Sequence, residues 1–177
     1  MVTIKAFHKD ERGLYTDPTG DSKFYFEIGK TYIHEGEVKL CKSGFHASRN
    51  CDISETVGYY PVNSHYCLVD INVINERDDK IVGNKITLLK ELTFEECIGY
   101  DKTGEWCYHF ADDIKEANVE LLQNAVITKD KTGCWCYYFA RYVKGTNVKL
   151  LQNAVIEKNT TGEGCYYSAD DVKGPIS

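Results

Sequence analysis

The sequence predicts an α+β protein: a small β-rich domain over residues 1–92, then a short α-helical hairpin repeat array over residues 93–177. Three observations lead there. The first 90 residues hold short runs of β-branched and aromatic residues punctuated by Gly, Pro and Asp. A 29-residue segment then recurs almost unchanged. Inside each copy the apolar residues repeat with a helical period, where a strand would alternate.

In chain order, Ile4–Phe7, Phe24–Ile28, Thr31–His34, Tyr66–Ile74 and Lys85–Leu89 read as strands. Glu35-Gly36-Glu37 reads as a hairpin turn. One helix is expected around Ile53–Tyr60, ending before Pro61 because the proline ring disfavours a helical residue ahead of it. Thr93-Phe94-Glu95-Glu96 has the spacing of a capping box, in which a hydroxyl and a glutamate three residues on satisfy each other's backbone N–H. It predicts the helix that joins the domain to the array.

Residues 103–131 align on 132–160 with 18 identities in 29 positions, and a truncated third copy runs over 161–174. Cys107, Phe110, Ala111 and Ile114 fall at i, i+3, i+4 and i+7, and Val119, Leu122, Ala125 and Val126 form a second such stripe. Each unit therefore reads as a helix near 104–114, a turn, and a second helix near 118–128. A single hairpin leaves its apolar face open, so adjacent copies are expected to close the core. Gly164 and Ser168 replace Trp and Phe in the last copy, as a solvent-facing cap requires.

A net charge of −6 disfavours direct nucleic-acid binding, which needs clustered Lys and Arg. No apolar run is long enough for a membrane span, and Met1–Lys5 carries no apolar signal core. The expectation is a cytoplasmic protein. Of eight cysteines, Cys107, Cys136 and Cys165 recur with the repeat, which fits reduced, buried thiols. Cys134 has no counterpart in the first unit, where Glu105 stands, and reads as incidental.

Two chemical constellations are visible. His46, in Gly44-Phe45-His46-Ala47-Ser48, is a weak catalytic candidate; the alternative is that it hydrogen-bonds the backbone of a tight turn. Cys41, His46, Cys51, His65 and Cys67 are all metal-ligand types within 27 residues, but their gaps are irregular. The alternative is buried thiols and two surface histidines, so no metal and no cofactor is expected.

Divergence between the repeats carries more information. Asp112 becomes Arg141, Asp113 becomes Tyr142 and Glu120 becomes Lys149. Residues 103–131 have three Lys against six Asp or Glu, net −3, whereas 132–160 reach net +3. Either this is drift on a solvated face, or Arg141, Tyr142 and Lys149, with Asp112, Asp113 and Glu120 on the other copy, form a partner surface. Arg and Tyr are favoured in such hot spots.

Gly29-Lys30-Thr31-Tyr32, then Cys41-Lys42-Ser43-Gly44-Phe45-His46-Ala47, then Tyr59-Tyr60 resemble a domain of unknown function common in phage and prophage proteins. The resemblance covers residues 4–92, and its members often carry a second cysteine where this chain has Ser48. The repeats are similar to a short helical repeat that accompanies bacterial and mobile-element proteins. More loosely, Gly44–Ser48, the following helix and Tyr59-Tyr60 resemble the nucleotide-binding half of ADP-ribosyltransferase-like folds. That likeness implies NAD and a late carboxylate, for which Glu91, Glu95 and Glu96 are the candidates.

The expected function is a non-enzymatic protein-binding module of phage type that occludes a bacterial host or defence factor, anti-CRISPR action being one form. An acidic chain is suited to compete for a nucleic-acid-binding groove on such a partner. The alternatives are an NAD-using ADP-ribosyltransferase-like enzyme and a structural accessory of a phage particle.

Overall fold

A computed structural model describes residues 1–17 and 22–158. The chain divides into two units, residues 1–100 and 101–177, so the helix expected to lead into the array belongs to the first unit. The truncated third copy lies outside the described residues.

The first unit holds two antiparallel sheets. Six strands, β1 (Val2–Asp10), β2 (Gly13–Thr16), β3 (Phe24–Phe26), β4 (Thr31–Ile33), β6 (His65–Ile71) and β9 (Lys85–Glu91), form a sheet in the order β3-β2-β1-β6-β9-β4. The other three, β5 (Phe45–Ser48), β7 (Asn75–Glu76) and β8 (Lys80–Gly83), pair in the order β5-β8-β7. The larger sheet is curled. Its edge strands β3 and β4 are joined by Glu27–Lys30 alone, a span of at most ~18 Å from Phe26 to Thr31. Five flat interstrand gaps would need ~24 Å. The curl brings Phe26 and Tyr32, on opposite edges, to 5.0 Å between ring centroids.

Every second residue of β6 from Cys67 to Ile71 turns inward, as the two-residue strand period requires. Cys67, Val69 and Ile71 meet Phe7, Leu14, Phe26, Ile86 and Leu88 of the same sheet, and Ala47 and Ile81 of the smaller one, in one apolar core. Burying such side chains stabilises the fold by about 1.5–3 kcal/mol each.

Two sequence expectations fail here. Residues 53–60 form only a 3₁₀ turn, Ile53–Thr56. Asp52 caps it through Ser54 N (3.1 Å), but Val57, extended at φ −61° and ψ 135°, and then Gly58, at φ 88°, turn the chain out of helical geometry after one turn. Glu35–Glu37 is no hairpin turn either. The strand before it, β4, pairs with β9, and β5 after it pairs with β8 in the other sheet. The capping box is present: Glu96 Oε2 accepts from Thr93 N (3.0 Å) and Thr93 Oγ1 from Glu96 N (3.3 Å), starting α1 (Phe94–Tyr100).

The second unit is helical. Its described elements are α2 (Glu105–Asp113), α3 (Val119–Lys129), α4 (Cys134–Tyr142) and α5 (Val148–Lys158). Equivalent side chains fill the space between helices: Cys107 and Cys136, Leu122 and Leu151, and Val126 and Val155 are all buried. The two pairs touch. Tyr108 of α2 stacks on Trp135 of α4 with ring centroids 5.7 Å apart, and Gln123 of α3 accepts the Asn147 N–H before α5 (2.7 Å). Trp106 and Tyr108 lie off the apolar stripe read from the sequence, yet both are buried, because α2 packs on α3 and on α4.

Candidate functional site

The motif Cys-x-x-Gly-Phe-His-Ala folds into a turn that delivers β5 to the smaller sheet. Lys39 and Ser43 close a narrow antiparallel bridge, and Cys41, at its tip, takes the left-handed φ of 61°. That conformation is uncommon outside glycine and needs a partner to hold it. His46 supplies one: its Nε2 accepts the Cys41 backbone N–H at 2.8 Å. The acceptor role places the ring proton on Nδ1, and the ring also has a hydrogen bond to the Gly44 backbone. Gly44 has φ 99°, and a Cβ there would stand 2.9 Å from the Gly83 carbonyl. The motif's glycine and histidine are thus explained by one turn, in which Cys41 takes part through its backbone.

Burial, followed by the charges of Lys5 and Lys80, holds the His46 pKa below its usual value. The ring is therefore neutral near neutrality. Its Nε2 lone pair is committed to Cys41, and in this arrangement none is left to abstract a proton.

A cavity of 560 Å³ opens in front of this turn. Its walls come from β1, β5 and the 3₁₀ turn, and include Lys5, His46, Glu55, Tyr59, Tyr60 and Lys80. Lys5 is only 6% exposed. Its ammonium donates to the His46 carbonyl (2.9 Å) and lies 5.3 Å from the Phe7 ring centre and 5.9 Å from that of Tyr60. At the rim, Tyr59 donates to Asp79 (2.7 Å), and the Lys80 ammonium sits 3.5 Å from the Tyr59 ring centre.

The metal-ligand types named from the sequence do not converge. Cys41 is exposed, Cys51 is half-buried at φ 53°, and Cys67 is in the core, where burial pushes its thiol up to about 12. His65 bonds Glu91 at 2.7 Å. Among the described residues no group of three or more His, Cys, Asp and Glu has the arrangement of a metal site. The carboxylates proposed to serve an NAD-using centre lie elsewhere as well. Glu91 is held by Lys9 and His65, and Glu96 caps α1. The acidic side chains lining the cavity are Asp17, Glu55 and Asp79.

In the second unit the named surface residues divide into two places. Asp112 and Asp113 end α2, and Tyr142 ends α4. Burial first, then Asp112, Tyr142, Tyr138 and Asp113, push the Tyr108 phenol up to about 12. Tyr142, half exposed, stacks on Tyr138 with centroids 6.2 Å apart. The Arg141 guanidinium lies 5.5 Å from the Tyr142 ring centre and donates to the Tyr137 hydroxyl. Glu120 and Lys149 instead occupy the exposed first turns of α3 and α5. One thiol expectation is corrected: Cys134 is disulfide-bonded, whereas Cys41, Cys67, Cys97 and Cys136 are free thiols.

Sequence reasoning passed over two carboxylates. Asp101 and Asp130, both buried, accept backbone N–H bonds that start α2 and α4. Their signal is the Asp-Lys-Thr-Gly found at the start of the first two copies, at 101–104 and 130–133. Lys5 was passed over too, because a lysine inside a strand pattern reads as a solvent-facing position.

No helix among the described residues is long and apolar enough to cross a membrane. No curated protein and no solved structure matches the chain. A family model does match, over residues 1–99, more than half of the chain and the whole of the two-sheet fold. The chain belongs to the family described as Domain of unknown function (DUF7666).

Proposed function

We propose that the chain is a non-enzymatic protein-binding module of phage or mobile-element type, which occludes a bacterial host or defence factor inside the cell. The observation that carries this reading is the aromatic ridge of α2 and α4. Tyr142 is half exposed and braced by Tyr138 and Arg141, and Asp112 and Asp113 are exposed at the end of α2. A pre-ordered Tyr and Arg bury large area at low entropic cost, which is what interface anchors need. The change of charge sign from α2 to α4 offers a partner two complementary patches, which favours one docking orientation.

The test is capture from bacterial lysate by the immobilised full chain, beside an Arg141→Ala/Tyr142→Ala variant. The same bacterial protein bound by the wild type and lost from the variant supports the reading. Capture that is equal with both overturns it.

A second reading, an ADP-ribosyltransferase-like enzyme using NAD, is favoured by the cavity at Lys5, His46 and Tyr59. Labelled NAD incubated with the protein and lysate tests it. Label transfer that disappears in Lys5→Met and Lys80→Met supports the enzyme, and no transfer by the wild type removes it.

A further inference from the structure

The side chain with the weakest internal explanation in the first unit is Lys5. A lysine 6% exposed has lost nearly all of its hydration, and an ammonium out of water needs a counter-charge or several strong acceptors. Among the described residues it meets one carbonyl, that of His46, and the faces of Phe7 and Tyr60. A cation over a ring is stabilised by about 0.5–2 kcal/mol, well below the cost of removing a full charge from water. Among the described residues no carboxylate pairs with Lys5. Of the three acids lining the cavity, Glu55 accepts from the Asn50 backbone and side chain and Asp79 accepts from Tyr59, while Asp17 forms no ion pair with Lys5.

Lys5 is not enclosed on all sides, because it forms part of the cavity wall. Lys80 and Lys42 line the same cavity. Lys5 is anchored on the His46 carbonyl and Lys80 lies over the Tyr59 ring, both in the wall of this one cavity. Neutral His46 adds no charge that would repel a cation, and its turn pins Cys41 and Lys42 at the mouth. Beside the two ammonium groups stand Tyr59, 58% exposed, and Tyr60. A volume of 560 Å³ falls within the ~300–1,000 Å³ of small-molecule sites.

We propose that this cavity binds a small organic phosphate carrying a planar ring, with the phosphate drawn to Lys5 and Lys80 and the ring laid against Tyr59 and Tyr60. The bound anion is the counter-charge that the fold withholds from Lys5. No reaction on the ligand is required, and the site does not depend on the partner surface of α2 and α4.

The test is calorimetric titration of the full chain with AMP, adenosine and inorganic phosphate. AMP is expected to bind saturably. Adenosine, which keeps the ring but lacks the charge, is expected to bind at least about tenfold more weakly, the loss of one charge-assisted contact. Inorganic phosphate is expected to compete with AMP, with an affinity below that of AMP. Lys5→Met keeps the shape of the side chain and removes a buried charge, so it is expected to fold with an unchanged or higher Tm while weakening AMP at least about tenfold. Lys80→Met lies at the rim, where it cannot unfold the core, and is expected to weaken AMP several-fold. Wild-type protein that fails to bind AMP at millimolar concentration overturns the proposal. So does adenosine binding as tightly as AMP, or AMP binding unchanged in both variants.

Discussion

Asp101 and Asp130, 29 residues apart, make the same three backbone hydrogen bonds. Asp101 Oδ1 accepts from Thr103 N (3.1 Å) and Gly104 N (2.8 Å) and its Oδ2 from Cys107 N (2.9 Å). Asp130 accepts from Thr132 N (2.9 Å), Gly133 N (3.0 Å) and Cys136 N (2.9 Å). Each carboxylate therefore satisfies the open N–H groups at the start of a helix and places its charge at the positive end of the helix dipole. The adjoining main chain is held too, since Lys129 donates to the Asp101 carbonyl and Lys158 to the Asp130 carbonyl. Replacing either aspartate by alanine strands buried N–H groups and is expected to cost about 3 kcal/mol. Asp→Asn turns one accepting oxygen into a donor aimed at another donor and is expected to cost about 2 kcal/mol. Urea denaturation followed by far-ultraviolet circular dichroism checks both. A loss below about 0.5 kcal/mol in either alanine variant would show that water takes over these bonds.

His46 gives the fold a dependence on mild acid. Its folded pKa lies below the usual value, chiefly through burial and then through Lys5 and Lys80. The unfolded chain therefore takes up the proton more readily, and stability falls as pH drops below about 6.5. Protonation also breaks the Cys41 N–H to Nε2 bond. The urea midpoint of the wild type is expected to fall from pH 7.5 to pH 5.5 more steeply than that of His46→Gln, which has no proton to gain. Parallel profiles would mean that the turn does not depend on a neutral ring.

How much of this was legible in the sequence depends on the range of the interaction. Helices α2 to α5 were readable because Cys107, Leu122, Cys136 and Leu151 sit on local apolar stripes and the copies reinforce one another. The Thr93–Glu96 box was readable because both partners are three residues apart. Strands β2, β7 and β8 were not, since Gly13–Thr16, Asn75–Glu76 and Lys80–Gly83 each hold at most two β-branched or aromatic residues, whereas all three residues of β3 and of β4 are of that kind. The hairpin expected at Glu35–Glu37 failed because local turn residues cannot report that β4 pairs with a strand some 55 positions later. His46 was visible as an unusual residue, but its partner, the Cys41 N–H, depends on a left-handed backbone that side-chain identity does not announce. Lys5 is the instructive omission. Only the assembled sheets reveal that a charged side chain in β1 points into a cavity wall.

Three core thiols predict alkaline weakness. Burial, before any neighbouring charge, pushes Cys67, Cys97 and Cys136 each up to about 12 from an ordinary 9.0. The unfolded chain ionises these thiols first, so their contribution is intact below pH 9 and is lost as pH rises toward 12. The guanidinium midpoint is expected to decline steadily from pH 9 to pH 10.5, and less steeply in a Cys67→Ala/Cys97→Ala variant. In the native state iodoacetamide at pH 8 is expected to modify exposed Cys41 first and to spare Cys67, Cys97, Cys107 and Cys136. Mass spectrometry of the labelled peptides reads this directly, and early labelling of Cys97 or Cys136 would contradict the packing described.

Gly83 and Gly58 separate close approach from backbone conformation as reasons for glycine. A Cβ on Gly83 would lie 1.9 Å from the Asn72 carbonyl oxygen and 2.9 Å from Ile71 Cγ1, at the end of β8. Nothing there can yield cheaply. Asn72 Oδ1 accepts from Lys85 N (2.6 Å), Asn72 Nδ2 donates to Asn84 (2.6 Å), and Asn72 N donates to Lys85 O (3.2 Å). Gly83→Ala must therefore push β8 from the end of β6 and is expected to cost about 3 kcal/mol. Gly58 has φ 88° and open space around its missing Cβ, so Gly58→Ala meets only the left-handed strain of about 1–2 kcal/mol. Thermal melts of the two variants are expected to rank Gly83→Ala well below Gly58→Ala, and AMP titration of Gly58→Ala is expected to match the wild type. Equal melting temperatures would mean that the 72–85 crossing is looser than these distances allow.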